Sequence, residues 1–280
     1  MTTTQVDPLF SLKHNFYVGN YDTAITMADS YIAKHPSSQH SIFAKAYRAR
    51  AMIASGSAEI FLKEMKNDSE EAPQLLELCM LLAKTYEKAG SASSILATME
   101  ETFDATTSPS SCRSVAATIY FRLNDRVNAL KCLRHAGRDI EQLALQCQIH
   151  ISSNRLDLAN RTWDSMRKTN DDHTLTTLFR SVINLYEGGS KIQESSYMLD
   201  SLLQKFGRGY SALLRNLRAV CELHLGRSSS SDEDEDSKLS STNRYLRNLL
   251  RFDVSKDSTV VSQERQEVEA MFDKALAGRK

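Results

Sequence analysis

The feature that most constrains this 280-residue chain is a helical apolar rhythm that returns in blocks of one recurring length. Tyr21, Ala24, Ile25, Ala28 and Ile32 fall at helical spacing, as do Leu75, Leu78, Cys79, Leu82, Ala83 and Tyr86, and again Leu175, Leu178, Phe179, Val182, Ile183 and Tyr186. Side chains three and four residues apart share one helix face, so each run makes an apolar stripe. The strict alternation that marks strands is hard to find, and the expected fold class is all-α. Short second helices of similar design recur at Tyr21–Ile25, Ala58–Phe61, Ser93–Leu96, Val127–Leu130, Asp157–Ala159 and Ser195–Tyr197. With Ala24, Ile60, Ser94, Ala129, Ala159 and Ser196 as equivalent points, the intervals are 36, 34, 35, 30 and 37 residues.

That period is the signature of a tetratricopeptide-like repeat, a helix, a turn and a second helix whose small residue lets the pair pack closely. Punctuation agrees with it. Gly19-Asn20, Ser55-Gly56, Gly90-Ser91, Asn124-Asp125, Asn154-Arg155 and Gly188-Gly189 supply a turn within each pair. Pro36, Pro73 and Pro109 lie 12, 13 and 15 residues after the first three points, where a proline can stop a second helix. One helix pair cannot bury its apolar face alone. Stacking therefore predicts an α-solenoid over residues 1–227, with a concave face lined by first helices and suited to wrapping an extended partner.

Residues 228–242 break the pattern. Ser228 to Ser237 contains no apolar residue and five consecutive acids, Asp232 to Asp236, which repel one another and keep a chain solvated. This segment is expected to be a disordered linker, either inert or phosphorylated at Ser229, Ser230 and Ser231, each of which has an acid three residues on. Residues 243–280 are expected to form a helical capping segment, since Val268, Met271, Phe272, Ala275 and Leu276 make a last amphipathic stripe. Charge divides along the same line. The chain has 35 bases and 35 acids; residues 228–241 hold five acids and one base, so the rest carries 34 bases against 30 acids. No strongly basic domain argues for nucleic acid. Five scattered cysteines without a C-x-x-C pair argue against a disulfide framework and for a reducing compartment. The N-terminal residues lack the basic and apolar regions of a secretory signal, and no apolar run approaches a membrane span. A soluble, cytosolic protein is expected.

Motifs for chemistry are sparse. No phosphate-cradling glycine pattern is present. Cys132-Leu133-Arg134-His135 and Cys147-Gln148-Ile149-His150 each place a thiol and an imidazole one turn apart, as zinc could use, but Cys147 and His150 fall on a core-bearing helix, where cysteine acts as a small buried hydrophobe. No metal and no cofactor is expected. Asp171-Asp172-His173 precedes a helix start at Thr174, so its acids read as caps rather than as an acid/base pair. Trp163 shares a stripe with Leu156, Ala159 and Met166 and is expected in the core, its indole N–H near an edge. Tyr47, Tyr86, Tyr120 and Tyr186 lie on first helices and are the candidate partner contacts; packing between repeats is the competing role.

Asp7, Leu9, Phe10, Lys13, Phe16, Tyr17, Gly19 and Tyr21 in the opening helix and turn, Asn154 to Ala159, Thr174 to Gln193, and Thr242-Asn243-Arg244-Tyr245-Leu246 occur in an order that resembles the epsilon subunit family of coatomer, the COPI vesicle coat. The likeness extends over most of residues 7 to 227, with a weaker echo after 242. It implies a non-enzymatic tetratricopeptide-like solenoid that binds the C-terminal domain of the coatomer alpha subunit. Such a protein works within a cytosolic heteroheptamer recruited to Golgi membranes for retrograde and intra-Golgi transport. The alternative is a generic scaffold or co-chaperone adaptor, which needs converging Lys, Asn and Arg side chains to clamp a C-terminal carboxylate; that cluster is not found in register. One departure stands out: where the family has a further helix pair, this chain has about 15 residues of serine and acid, too polar to form it. A helix over Glu264 to Ala277 is expected to cap the exposed end.

Overall fold

The computed structural model describes residues 7–67, 73–87, 92–134, 136–207 and 211–225. Among them are thirteen α-helices and no strand. They run α1 (Phe10–Tyr17), α2 (Tyr21–Lys34), α3 (Gln39–Ala54), α4 (Ala58–Asn67), α5 (Gln74–Glu87), α6 (Ala92–Thr102), α7 (Ser110–Arg122), α8 (Arg126–Cys132), α9 (Ile140–Ser152), α10 (Leu156–Thr169), α11 (Thr174–Glu187), α12 (Lys191–Phe206) and α13 (Ala212–His224). Every short second helix expected from the repeats falls on an even-numbered helix. The all-α helical-repeat fold is as the periodicity requires. The chain divides into two units, Met1–Leu217 and Arg218–Lys280. In the second, the described residues 218–225 carry the end of α13, with an ion pair between Arg218 and Glu222 one turn apart. The acidic segment 228–242, its serines Ser229, Ser230 and Ser231, and the expected capping helix lie outside the described residues.

Four of the turns inside the pairs share one chemistry. Gly19, Gly56, Asn124 and Asn154 take left-handed backbone, with φ of 82°, 91°, 63° and 56°. In each case the next amide reaches back over the helix end: Asn20 N–H to Asn15 O, Ser57 to Met52, Asp125 to Tyr120 and Arg155 to His150, at 2.8 to 2.9 Å. This is the Schellman closure, which satisfies carbonyls that a helix end leaves bare. Asparagine is the side-chain-bearing residue that tolerates this conformation best, so two of the four turns manage without glycine.

Two punctuation readings shift by a residue or more. Pro73 directly precedes α5 and Pro109 is the N-cap residue of α7, so these prolines start first helices rather than stop second ones. A proline there lacks an N–H that the first turn would leave unpaired anyway. The equivalent points also slip in two repeats. Ala24, Ala129, Ala159 and Ser196 are buried, but Ile60 and Ser94 are exposed, and Phe61 and Ile95 point inward instead. Where the inward residue is small, at α7/α8, α9/α10 and α11/α12, the pair packs most extensively; where it is Phe61 or Ile95 the pair packs less. A large side chain holds the two backbones apart, as ridge-and-groove packing requires.

The buried apolar residues form a continuous core along the stack from Ala46 through Leu78, Cys79, Val115 and Ile119 to Ile149. A smaller cluster of Leu9, Leu12, Ala28, Ala44 and Tyr47 seats α1. Within Met1–Leu217 the stack bends far enough for its beginning to meet its end. Ser211 Oγ donates to the Val18 carbonyl, Asn20 Nδ2 donates to the Phe206 carbonyl at 3.4 Å, and a Cβ on Gly19 would lie 3.4 Å from Leu213 Cβ. Repeated small rotations between neighbouring helix pairs accumulate into this closure.

Candidate functional site

Closure brings three first helices, α1, α3 and α9, together around one carboxylate. Asp139 caps α9, accepting from the amides of Glu141 and Gln142, and so fixes the first turn that carries the Glu141 side chain. Arg50, near the C-terminal end of α3, forms an ion pair with Glu141, its Nη2 2.6 Å from Oε1. Tyr17 at the end of α1 donates to Oε2 at 2.9 Å, Tyr47 of α3 donates to the same oxygen, and the two phenol oxygens are 3.1 Å apart. The Arg50 guanidinium also lies over the rings of Phe16 and Tyr47, 4.7 and 5.1 Å from their centroids. Both ionic partners are almost enclosed, with side chains 12% and 14% exposed, so neither charge could sit here alone.

The electrostatics follow from that burial. Desolvation pushes the Glu141 carboxyl upward, but the Arg50 charge and the hydroxyls of Tyr47 and Tyr17 outweigh it and hold the group below its ordinary value. Arg50 is likewise held charged against its own burial by Glu141. Tyr17 and Tyr47 are raised well above the usual phenol range, first by burial and then by the carboxylate beside them. They therefore stay protonated and act as donors. Next to them His14 Nδ1 is 2.5 Å from Thr174 Oγ1, and its ring centroid is 4.7 Å from that of His173. Burial, then the His173 and Lys205 charges, lowers His14 to about 4, and burial with Lys205 lowers His173. This is an acid, a cation and neutral donors pinning α1, α3, α9 and α11 to one another.

The four candidate tyrosines separate accordingly. Tyr47 and Tyr120 are buried, Tyr47 in the network just described, and both serve the interior. Tyr86 is exposed, with the Arg122 guanidinium 3.4 Å above its ring, and Tyr186 is 58% exposed at the end of α11. The structure adds Tyr197, 66% exposed on α12. Its signal was legible: Ile192, Ser195, Ser196, Leu199 and Leu203 mark the buried stripe of that helix, and 197 lies off it. Nothing in the periodicity pointed to Glu141 and Arg50, which are 91 positions apart.

The chemistry-bearing motifs resolve individually. Cys147 is fully buried, with its Sγ 3.7 Å from the Ala159 carbonyl, and burial pushes its thiol up to about 12; Cys132 rises to about 11 for the same reason. Neutral buried thiols are structural rather than reactive. His135 lies outside the described residues, and among those described no group of three or more His, Cys, Asp or Glu side chains is arranged to hold a metal. The cap before Thr174 is a correction: His173 is the N-cap residue and its Nδ1 accepts from the Leu175 amide at 3.2 Å, so the cap is an imidazole and not an acid. Trp163 is half-buried rather than deep in the core. Its indole donates to the Thr176 carbonyl at 2.9 Å, and Arg180 and Arg167 lie 4.8 and 5.2 Å from its ring centroid, so it fastens α10 to α11. No helix among the described residues is long and apolar enough to cross a membrane.

The sequence matches the family described as coatomer epsilon subunit over residues 5–276, nearly the whole chain. This chain belongs to the coatomer epsilon subunit family. Similar curated relatives include coatomer subunit epsilon-1 of Arabidopsis thaliana, 32% identical over 222 residues that cover 79% of this chain and 73% of the relative. Coatomer subunit epsilon of Dictyostelium discoideum is 28% identical over 226 residues, covering 79% and 74%, and that of Caenorhabditis elegans is 26% identical over 205 residues, covering 72% and 68%. In this coatomer epsilon-family chain, then, the first-helix interior acts as a brace, and Tyr86, Tyr186 and Tyr197 are exposed aromatic surface.

Proposed function

We propose that this chain is a non-enzymatic structural subunit of the COPI coatomer coat, which binds and stabilises the C-terminal domain of the alpha subunit. In this reading it acts in Golgi-to-ER retrograde and intra-Golgi vesicle transport. It would be cytoplasmic and would reach Golgi membranes only through the coat. The observation that carries the reading is the family match along nearly all of a helical-repeat chain. An internally braced solenoid supports it, because a scaffold that holds its own curvature loses little conformational freedom when it binds. Exposed Tyr86, Tyr186 and Tyr197 are the proposed contacts, since tyrosine offers a large contact area at small entropic cost. The test is co-purification of the full chain with the C-terminal domain of the alpha subunit. Stoichiometric capture, weakened tenfold or more by Tyr186→Ala with Tyr197→Ala, is expected; failure of the folded chain to bind at all would refute the assignment.

A further inference from the structure

The surface of α8 and the loop after it carries charge that its surroundings do not neutralise. From Asp125 to Glu141 the sequence holds three acids and, besides His135, four cations. The acids are all engaged inward. Asp125 accepts from the backbone and side-chain amides of Asn128 at 3.0 and 2.6 Å. Asp139 caps α9 and also accepts from the Ser110 hydroxyl. Glu141 is the buried partner of Arg50. The cations Arg126, Lys131, Arg134 and Arg138 point the other way. All four are exposed, and none forms an ion pair with a carboxylate among the described residues; Lys131 reaches only Asn128 Oδ1, at 3.0 Å. The three acids are thus tied up in helix caps and the central brace, while the four cations have no carboxylate partner among the described residues.

The arrangement is a narrow ridge. Val127, itself 65% exposed, lies one turn from Lys131 on α8 by the spacing i, i+4, and Arg134 and Arg138 follow in the loop beyond the helix end at Cys132. Within α8, at 1.5 Å per residue, Arg126 and Lys131 are about 7.5 Å apart along the axis, and with Arg134 and Arg138 in the loop beyond, four cations call for about one acid each. We infer that this ridge docks an acidic peptide segment of a partner chain, a run of four or five consecutive Asp or Glu residues. A membrane surface fits less well, because an anionic bilayer favours a broad apolar face that sinks between headgroups, and the ridge offers only Val127. Each exposed pairing is weak and screened by salt, so recognition depends on several acting together. The inference does not depend on the coat assignment.

The test titrates the full chain against a fluorescent peptide of sequence Ser-Asp-Glu-Asp-Glu-Asp-Ser and reads anisotropy at low salt and at about 500 mM salt. At the higher salt charges are screened over roughly 4 Å, so binding should weaken at least tenfold. The variant Arg126→Gln/Lys131→Gln/Arg134→Gln/Arg138→Gln is expected to lose at least tenfold in affinity at low salt. Lys34→Gln/Lys45→Gln/Lys66→Gln/Lys168→Gln, which removes four exposed charges elsewhere, should retain it. Both are repeated with residues 232–236 changed to their amides, so that the chain's own acidic run cannot compete. Peptide binding that depends on the ridge in either background supports the inference. No binding in both, equal loss in the control variant, binding that salt leaves unchanged, or binding to phosphatidylserine vesicles without binding to the peptide would overturn it.

Discussion

Replacing Arg50 by Met tests whether the central carboxylate braces the solenoid. The substitution keeps most of the apolar stem but leaves Glu141 buried, charged and supported only by Tyr17 and Tyr47. Removing one partner of a buried ion pair costs about 3–5 kcal/mol, and Glu141→Leu should cost a similar amount through the stranded guanidinium. The double variant removes both charges and with them both desolvation penalties. Two phenol hydroxyls then lose their acceptor, but they are already 3.1 Å apart and can bond to each other, leaving about one unsatisfied group at roughly 1–3 kcal/mol. The two single losses added together should therefore exceed the double loss by at least about 3 kcal/mol, far beyond the ~0.5 kcal/mol scatter of independent sites. Urea unfolding followed by far-ultraviolet circular dichroism measures this, with equal slopes across the four proteins as the check that only stability has changed. Arg50→Lys, which keeps the charge but loses the planar fork over Phe16, should fall between wild type and Arg50→Met. Additive single losses would refute the brace.

Three further outcomes follow from the same geometry. Gly19→Ala forces a side chain into left-handed backbone where the first turn meets Leu213, and should cost about 1–2 kcal/mol in urea melts, whereas Asn124→Gly puts the most permissive residue into that same conformation and should change stability by less than ~0.5 kcal/mol. Trp163 is the only tryptophan, so its fluorescence reports the α10/α11 seam; Trp163→Phe should remove about 1 kcal/mol by losing the bond to the Thr176 carbonyl. Acid should weaken the fold in two stages. The folded chain holds His14 at about 4 and His173 below 6.5, so the unfolded chain takes up protons first as pH falls from about 6.5, and stability drops toward pH 4, by ~2–3 kcal/mol from His14 at about 1.4 kcal/mol per unit. Below that, protonation of Glu141, whose folded value is depressed, removes the brace itself. Thermal melts from pH 7.5 to 4 check the first stage, and His14→Gln should flatten it.

Much of the fold was legible because it is local. Helical spacing, asparagine or glycine turns and the small residues Ala24, Ala129, Ala159 and Ser196 act between residues close in sequence, and a period near 34 shows them directly. Expectation and structure part where neighbouring choices look alike to that period. Ile60 and Phe61 are adjacent apolar residues, and only packing against α3 and α5 decided that Phe61 points inward. Asp172 and His173 are adjacent potential caps, and the packing of the start of α11 against His14 of α1 selected the imidazole. Tyr47 and Tyr186 have the same sequence signature, a tyrosine at the apolar edge of a first helix, yet one is 8% exposed and the other 58%.

By itself the sequence determined an all-α chain of stacked helix pairs, because hydrogen bonding within a helix and burial of one apolar stripe need only the residue spacing. Which face remained available was decided by tertiary structure. Curvature accumulates over six helix pairs, each contributing a small rotation that no single repeat records. Only when that sum closes the stack does Glu141 meet Arg50, and the desolvation of both charges then makes their pairing obligatory.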